Sequence, residues 1–189
     1  MSGNTKQRMV EAAALSMRQR GLTATSFTDV LAASGAARGA IYHHFPRGKD
    51  DLAERAVEWT GCRVRIELEG IEGRDPDAVL RRFIELVHPV VAKAAEGTSC
   101  AVAAVTAEAS PSQAALTAAA DAAFQSWIDV LGERLHQVGV APARARATAE
   151  LMIAFLEGSL VLARAAGTVT IFERSASTLL QTLGVRGLD

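Results

Sequence analysis

Four side chains near the start of the sequence belong to residue types that commonly bind nucleic acid: Arg38, Tyr42, His43 and Lys49. An arginine guanidinium can bond both acceptors on a guanine edge in the major groove, whereas tyrosine, histidine and lysine are suited to phosphate oxygens. Gly39 has no side chain that would keep the backbone away from DNA. The spacing predicts a surface in which Arg38 contacts a base and its neighbours contact phosphates.

Two short helices joined by a glycine turn are needed to position these groups. Ser26 followed by Asp29 nearly matches a capping box, so a first helix begins there, and Ser34 with Gly35 ends it. A second helix is predicted through Arg38 to about Phe45, where a proline stops it. This is the pattern of a helix-turn-helix, whose second helix enters the major groove.

The amino end of the first helix adds two further candidates for phosphate contacts, Thr25 and Ser26. Free N–H groups at a helix start favour anions, and a hydroxyl beside them can donate another bond. The second helix has only about two turns and needs packing from its neighbours. Ile41 and Phe45, at i and i+4, supply one apolar edge for that packing.

The order G-x-x-R-G-x-I-Y-H-H-F-P-x-G-K-x-x-L, from Gly35 to Leu52, resembles the amino-terminal domain of TetR-family repressors. Pro46 and Gly48, together with the segment CAVAAV from Cys100, further resemble the LmrA/YxaF-like subgroup. The family commonly places serine or threonine at the position of Ala37, the expected cap of the recognition helix. Alanine at this position lacks the capping hydrogen bond, which contributes about 1 kcal/mol to helix stability, and it has no hydroxyl to contact a phosphate.

The resemblance implies an all-α protein with a three-helix DNA-binding domain over residues 1–49 and a larger ligand-binding and dimerisation domain over residues 50–189. It also implies a repressor that binds a palindromic operator as a homodimer and is released by a small hydrophobic or aromatic molecule. We expect no catalysis and no cofactor. The alternatives are a regulator of the same fold without a small-molecule ligand and a metal-binding helical-bundle enzyme.

Composition and charge agree with a folded DNA-binding protein. Hydrophobic residues make up 49% of the 189, and no apolar run approaches the roughly 20 residues needed to cross a bilayer, so a cytoplasmic location is expected. The net charge is −1, but residues 1–49 hold seven lysines and arginines against two acidic residues, or +5. This asymmetry favours one end of the chain meeting a polyanion.

Helical periodicity continues throughout the rest of the chain. The segment from Leu151 to Ala163 is apolar almost all round, so it must bury more than one face. Ala154 and Gly158, one turn apart, would let a helix of a second subunit approach closely. A fully buried central helix within a monomer is the alternative.

Five bulky apolar side chains are predicted to converge inside the second domain: Phe83, Val87, Trp127, Met152 and Phe155. Each taken alone is best explained as ordinary core. Aromatic and methionine side chains between helices also line pockets for apolar ligands, and the family resemblance favours a ligand-binding pocket at these residues.

Two Glu-x-x-His pairs favour the metal-binding alternative, because di-iron bundles use such pairs on separate helices. They are Glu85 with His88 and Glu133 with His136. Around the predicted helix, Glu133 and His136 point away from the apolar stripe that a buried metal site requires. We therefore predict no metal site.

Overall fold

The computed structural model describes residues 2–185, and within that span it contains nine helices and no strand. In chain order the helices are α1 (Ser2–Ala24), α2 (Phe27–Ser34), α3 (Ala40–His44), α4 (Lys49–Glu69), α5 (Pro76–Ala95), α6 (Ala101–Glu108), α7 (Ala114–Gln137), α8 (Pro142–Ala166) and α9 (Thr170–Thr182). The predicted all-α fold is confirmed.

The recognition helix is shorter than the sequence predicts. It begins at Ala40, so Arg38 and Gly39 lie in the turn that precedes it. Its N-cap is Gly39, which makes no side-chain capping bond, and Ala37 contributes only its carbonyl oxygen, which accepts from the N–H of Ala40 at 2.9 Å. Because the residues before α3 have no side-chain acceptor to cap it, the helix begins late.

The structure divides into two compact units. The first takes in residues up to Arg63 together with Ser99–Phe124, and the second takes in Val64–Thr98 and the residues from Gln125 onward. These units do not coincide with a division at residue 49, because α6 and the first half of α7 belong to the first unit. No helix in the described part of the chain has the length and apolar content needed to span a membrane.

Helix α1 is the centre of the first unit and packs against α2 and α6. Its inner face is fully buried at Met9, Ala13 and Met17. Helices α4 and α7 also come close together, since a Cβ placed on Gly61 would lie 2.8 Å from the Cβ of Ala123. Small side chains on α1 and at this contact allow the helices of the unit to lie close to one another.

Ser99, just before α6, is hydrogen-bonded to α1. Its N–H and its hydroxyl both donate to the carbonyl oxygen of Arg18, at 2.7 and 3.0 Å. The guanidinium of Arg18 donates in return to the carbonyl oxygen of Ser99 at 3.3 Å. These bonds join residues 81 positions apart and fix the start of α6 on α1.

In the second unit α5 packs against α8 and α9. The start of α5 is well defined, because Asp75 accepts the N–H of Ala78 at 2.8 Å and Pro76 occupies the first turn. The helix continues through Pro89. Its buried face repeats at helical spacing and comprises Val79, Leu80, Phe83, Val87, Val91 and Ala94.

Candidate nucleic-acid interface

The outward side of the helix-turn-helix presents a group of polar and charged side chains. Arg38, Tyr42 and His43 are all exposed, and Tyr42 is 71% exposed. The ring of Tyr42 lies edge-on to Phe27, with ring centroids 6.3 Å apart, so α2 limits its rotation while its hydroxyl stays in solvent. A Cβ added at Gly39 would meet no atom within 4 Å. The backbone next to Arg38 is therefore open to a large partner.

The inward side of α3 anchors these groups. Ile41 is 1% exposed and Phe45 is fully buried, as the sequence predicts. The N–H of Phe45 donates to the carbonyl oxygen of Ile41 at 2.7 Å, and the ammonium of Lys6 lies 5.8 Å from the centre of the Phe45 ring. A helix of five residues has no stability of its own, so this packing sets its orientation.

The start of α2 has the capping geometry predicted for it. Ser26 is extended, and its hydroxyl oxygen accepts from the N–H of Asp29 at 3.2 Å while its proton is donated to the Asp29 carboxylate at 2.7 Å. Arg20 pairs with the same carboxylate at 3.1 Å. The bond from Ser26, followed by the charge of Arg20, lowers the pKa of Asp29. Gly35 ends the helix in the left-handed conformation, with φ of 64°.

Thr25 lies inside the first unit and not on its surface, contrary to the sequence interpretation. Its side-chain oxygen donates to the carbonyl oxygen of Gly21 at 2.8 Å and lies 3.0 Å from the hydroxyl oxygen of Ser16. The residue is 5% exposed. Its hydroxyl therefore holds the turn between α1 and α2, whereas Ser26 next to it remains exposed.

Several of the cations that make the amino-terminal segment positive are occupied within the protein. The ammonium of Lys49 donates to the carbonyl oxygen of Thr23 at 2.9 Å, and Arg47 pairs with Asp51 at 3.3 Å and with Glu54 at 2.5 Å. Arg38, by contrast, is exposed, and no ion pair involves it within the described residues. Exposed ion pairs contribute little stability and can be exchanged for phosphate contacts.

Glu108, at the end of α6, is a contributor that the sequence analysis missed. Its carboxylate accepts from the backbone N–H of Thr23 at 2.7 Å. The two residues are 85 positions apart, and no local pattern marks such a pair. A residue from outside the first 49 thus touches the turn that leads into the helix-turn-helix.

The predicted ligand-binding residues all lie in the second unit. Phe83, Val87, Trp127 and Met152 are buried, and Phe155 is half-buried. The Phe155 ring stacks on Phe172, with centroids 5.5 Å apart and 29° between the ring planes.

A groove of about 470 Å³ in the same unit is lined by other residues, among them Ile66, Arg82 and Leu86. The predicted dimer residues Ala154 and Gly158 are exposed on α8.

The residues of the metal-binding alternative have other partners. His88 lies 3.2 Å from the carboxylate of Glu173, and His136 lies 3.1 Å from the carbonyl oxygen of Val140. Glu133 accepts from the side-chain amide of Gln137 at 3.0 Å. Within residues 2–185 no group of three or more histidine, cysteine or carboxylate side chains is placed to hold a metal ion.

Comparison with known families adds evidence from outside the chain. The model of bacterial regulatory proteins of the tetR family matches residues 9–56, and that of the LmrA/YxaF-like regulator C-terminal domain matches residues 76–178. An HTH-type transcriptional regulator of Mycobacterium tuberculosis is 37% identical over 166 residues, which cover 84% of each chain. The chain belongs to the TetR family of transcriptional regulators. The resemblance identified from Gly35 to Leu52 is thereby confirmed.

More distant relatives support this assignment. The HTH-type transcriptional regulator LmrA of Bacillus subtilis is 26% identical over 170 residues, covering 89% of this chain and 90% of that protein. A TetR transcriptional regulator from Chloroflexus aurantiacus has a similar structure, with a TM-score of 0.78, 26% identity and coverage of 97% and 96%. One from Legionella pneumophila, at 23% identity and a TM-score of 0.80, shares the fold over 94% of this chain and 96% of that one.

The cap at the start of α2 generates a prediction for stability. We expect Ser26→Ala to lower the free energy of unfolding by about 1 kcal/mol, because the N–H of Asp29 loses its acceptor. Urea unfolding followed by circular dichroism measures the change. Thr28→Ala, an exposed position in the same helix, is the control and should change stability by less than about 0.5 kcal/mol. Equal effects of the two substitutions would contradict the capping role.

Proposed function

We propose that this TetR-family regulator is a repressor that binds a palindromic operator as a homodimer and is released by a small hydrophobic or aromatic molecule. The main support is the geometry of the helix-turn-helix, in which a buried edge at Ile41 and Phe45 holds α3 so that Arg38, Tyr42 and His43 face solvent. An exposed side chain on a rigid support can make a specific contact, because little order must be gained on binding.

In this proposal the roles divide by chemistry. Arg38 bonds the acceptors of a guanine, and Gly39 lets the backbone come close to DNA. Tyr42, His43 and the exposed hydroxyl of Ser26 bond phosphate oxygens and fix the register of the protein. Ala37 offers only backbone, and Lys49 must exchange its bond to Thr23 before it can reach a phosphate.

Substitution of Arg38 tests its role in sequence recognition. We expect Arg38→Ala to weaken specific binding by about 1 to 3 kcal/mol and to relax the preference at one base pair in each half-site. Selection of binding sites from random DNA, followed by fluorescence anisotropy with the selected operator, measures both effects. Tyr42→Phe is the comparison, because it removes a phosphate bond but keeps the ring against Phe27. It should weaken binding to all sequences alike. An unchanged selected sequence for Arg38→Ala would exclude it as the base contact.

The proposal of a homodimer is supported by one face of α8. Residues at helical spacing on that face are exposed although they are apolar or small: Leu151, Ala154, Gly158, Val161 and Leu162. Val161 is 67% exposed. The opposite face of α8 is buried within the second unit, at Met152, Leu156 and Leu160 among others. Covering the exposed face with the same face of a second copy satisfies the apolar residues and gives the twofold symmetry that a palindrome requires.

Gly158 allows a test that spares the fold of the subunit. A Cβ added there would meet no atom within 4 Å, so Gly158→Leu has room on the subunit surface. Within a close helix pair across the interface, the same side chain should cost about 1 to 3 kcal/mol. We expect sedimentation to show a shift toward monomer, together with weaker operator binding. Asp121→Ala, at an exposed position on α7, serves as a surface control. A wild-type protein that sediments as a monomer at micromolar concentration would refute the dimer.

The proposed ligand site lies among Phe83, Val87, Trp127, Met152 and Phe155. Phe83 and Val87 belong to α5 and Met152 to α8, and these two helices pack against each other. Aromatic and methionine side chains give a ligand both a flat contact and an adaptable one. Because these residues are buried, a ligand must separate packed helices to enter, and its binding energy is then coupled to the arrangement of the unit.

A titration that uses Trp127 as the reporter tests the ligand site. In Trp59→Phe the only remaining tryptophan is Trp127, which is 1% exposed. We expect an aromatic hydrophobic compound from a panel to change its fluorescence and to release the operator over the same concentration range. A preference of about 100-fold for the DNA-free form supplies close to 3 kcal/mol.

A matched substitution separates the ligand site from operator binding. Phe155→Leu, at a half-buried position, should weaken the response to the compound and leave operator affinity of the ligand-free protein unchanged. The opposite result is tight operator binding while no compound alters the Trp127 fluorescence or the thermal stability. That result would favour the alternative, a regulator of the same fold that senses no small molecule.

A further inference from the structure

Helix α1 is kinked near its end, and its last residues from Gly21 together with Thr25 form the turn between α1 and α2, which sets the direction in which the helix-turn-helix leaves α1. Gly21 breaks the helical path there, with φ of 84° and ψ of 175°. Thr25 stabilises the turn from within through its bond to the carbonyl oxygen of Gly21. Between these two residues, the peptide groups on either side of Thr23 are held by side chains from other parts of the chain.

The N–H of Thr23 is bonded by α6. Glu108, the last residue of that helix, accepts from it at 2.7 Å, a short distance typical of a charge-assisted bond. The carbonyl oxygen of Thr23 accepts from Lys49, the first residue of α4, at 2.9 Å. One residue of the turn is therefore bound to the end of α6 on one side and to the start of α4 on the other.

The Glu108 carboxylate also occupies the space that a side chain at position 21 would fill. A Cβ on Gly21 would lie 2.1 Å from one carboxylate oxygen of Glu108, which is closer than atoms can approach. Glycine is required here for its positive φ, and any side chain would in addition force the Glu108 carboxylate to move. The contact is part of the geometry of the turn.

The position of Glu108 is otherwise unfavourable. The carboxyl end of a helix carries partial negative charge, so a glutamate there is destabilising unless it is bound. No basic residue occupies the last turn of α6. The bond from Thr23, with the nearby charge of Lys49, lowers the pKa of the Glu108 carboxyl, so the group is ionised at neutral pH. These interactions offset the cost of its position.

A second bond connects the neighbouring segment to α4. The side-chain amide of Gln113, in the loop between α6 and α7, donates to the carboxylate of Asp50 at 2.6 Å. The side-chain oxygen of Gln113 accepts from the N–H of Ser110 at 2.9 Å, which fixes its rotamer. The end of α6 and the loop after it thus contact both the turn before α2 and the first turn of α4.

We propose that Glu108 is a positioning residue for operator binding: through the Thr23 N–H it fixes the α1–α2 turn and hence the orientation of the helix-turn-helix. This proposal rests on the proposed binding of a specific operator. It assigns a DNA-binding role to a residue that faces no base or phosphate. Without the Glu108 carboxylate the turn can adopt other conformations. A smaller fraction of the protein then has the helix-turn-helix in the orientation that binds the operator.

Considered only as the loss of a negative charge, a substitution of Glu108 should raise operator affinity, whereas the positioning role predicts that affinity falls. The experiment distinguishes these two outcomes. Glu108→Ala removes a negative charge from a DNA-binding unit, which by itself should tighten binding. The proposal instead predicts that operator affinity falls about tenfold, the order expected for loss of a bond to a charged group. Asp121→Ala, at an exposed position on α7 in the same unit, removes the same charge without touching the turn. It should leave affinity unchanged or raise it slightly.

A conservative substitution and a local probe separate positioning from general damage. Glu108→Gln keeps an oxygen that can accept from Thr23, so it should lose only about two- to threefold in affinity. Hydrogen exchange of the Thr23 amide in the DNA-free protein should accelerate in Glu108→Ala by more than the change in global stability, measured from the urea midpoint, accounts for. An unchanged exchange rate, or an affinity equal to that of Asp121→Ala, would overturn the proposal.

A double-substitution cycle tests the match between Gly21 and Glu108. Gly21→Ala introduces both backbone strain and a collision with the carboxylate, but only the strain remains when Glu108→Ala is already present. We expect Gly21→Ala to reduce operator affinity less in that background, and equal reductions in both would contradict a direct contact. If the wild-type protein selects no operator, the proposed function fails, whereas the Thr23 exchange rates still show whether Glu108 fixes the turn.

Discussion

The burial of one edge of a five-residue helix, at Ile41 and Phe45, is the constraint on which the candidate DNA-binding surface depends. Helix α3 cannot persist alone, and its start has no side-chain cap, so Ile41 and Phe45 must be held by the first unit. That unit is organised around α1, whose small and flexible inner side chains let α2 and α6 lie close to it. The exposed residues of α3 have a defined direction because the opposite edge is buried.

The same constraint explains why the first unit includes α6 and part of α7. The hydrogen bonds between Ser99 and Arg18 fix one end of α6 on α1, and the bond between Glu108 and Thr23 fixes the other. The segment that the tetR-family model matches, residues 9–56, is too short for a large core, and small domains are only marginally stable. Additional helices supply contacts that the segment cannot make by itself.

Charge and apolar surface then divide the tasks between different parts of the protein. Arg47 is paired with the carboxylates of Asp51 and Glu54, and Lys49 is bonded to the carbonyl oxygen of Thr23, while Arg38 stays exposed. In the second unit α8 is buried on one face and leaves Leu151, Val161 and Leu162 in solvent on the other. In the proposed function, the exposed basic residues of the first unit meet DNA and the exposed face of α8 meets a second copy.

The sequence by itself determined those features that depend on neighbours in the chain. The cap at Ser26 and the end of the first helix at Gly35 follow from residues within four positions, and the structure reproduces them. The family also follows from the sequence, since its motif from Gly35 to Leu52 is contiguous. Burial of Ile41 and Phe45 was predictable because their spacing puts them on one edge.

Only the tertiary structure decided which polar groups pair across the chain. Thr25 has the same hydroxyl whether it bonds a phosphate or the carbonyl oxygen of Gly21, and its direction depends on how α1 and α2 meet. Lys49 and Glu108 converge on Thr23 from 26 and 85 positions away, a distance at which no periodic pattern operates. Local propensity is a property of adjacent residues, whereas these contacts form only after the helices have packed, which is why the sequence did not disclose them.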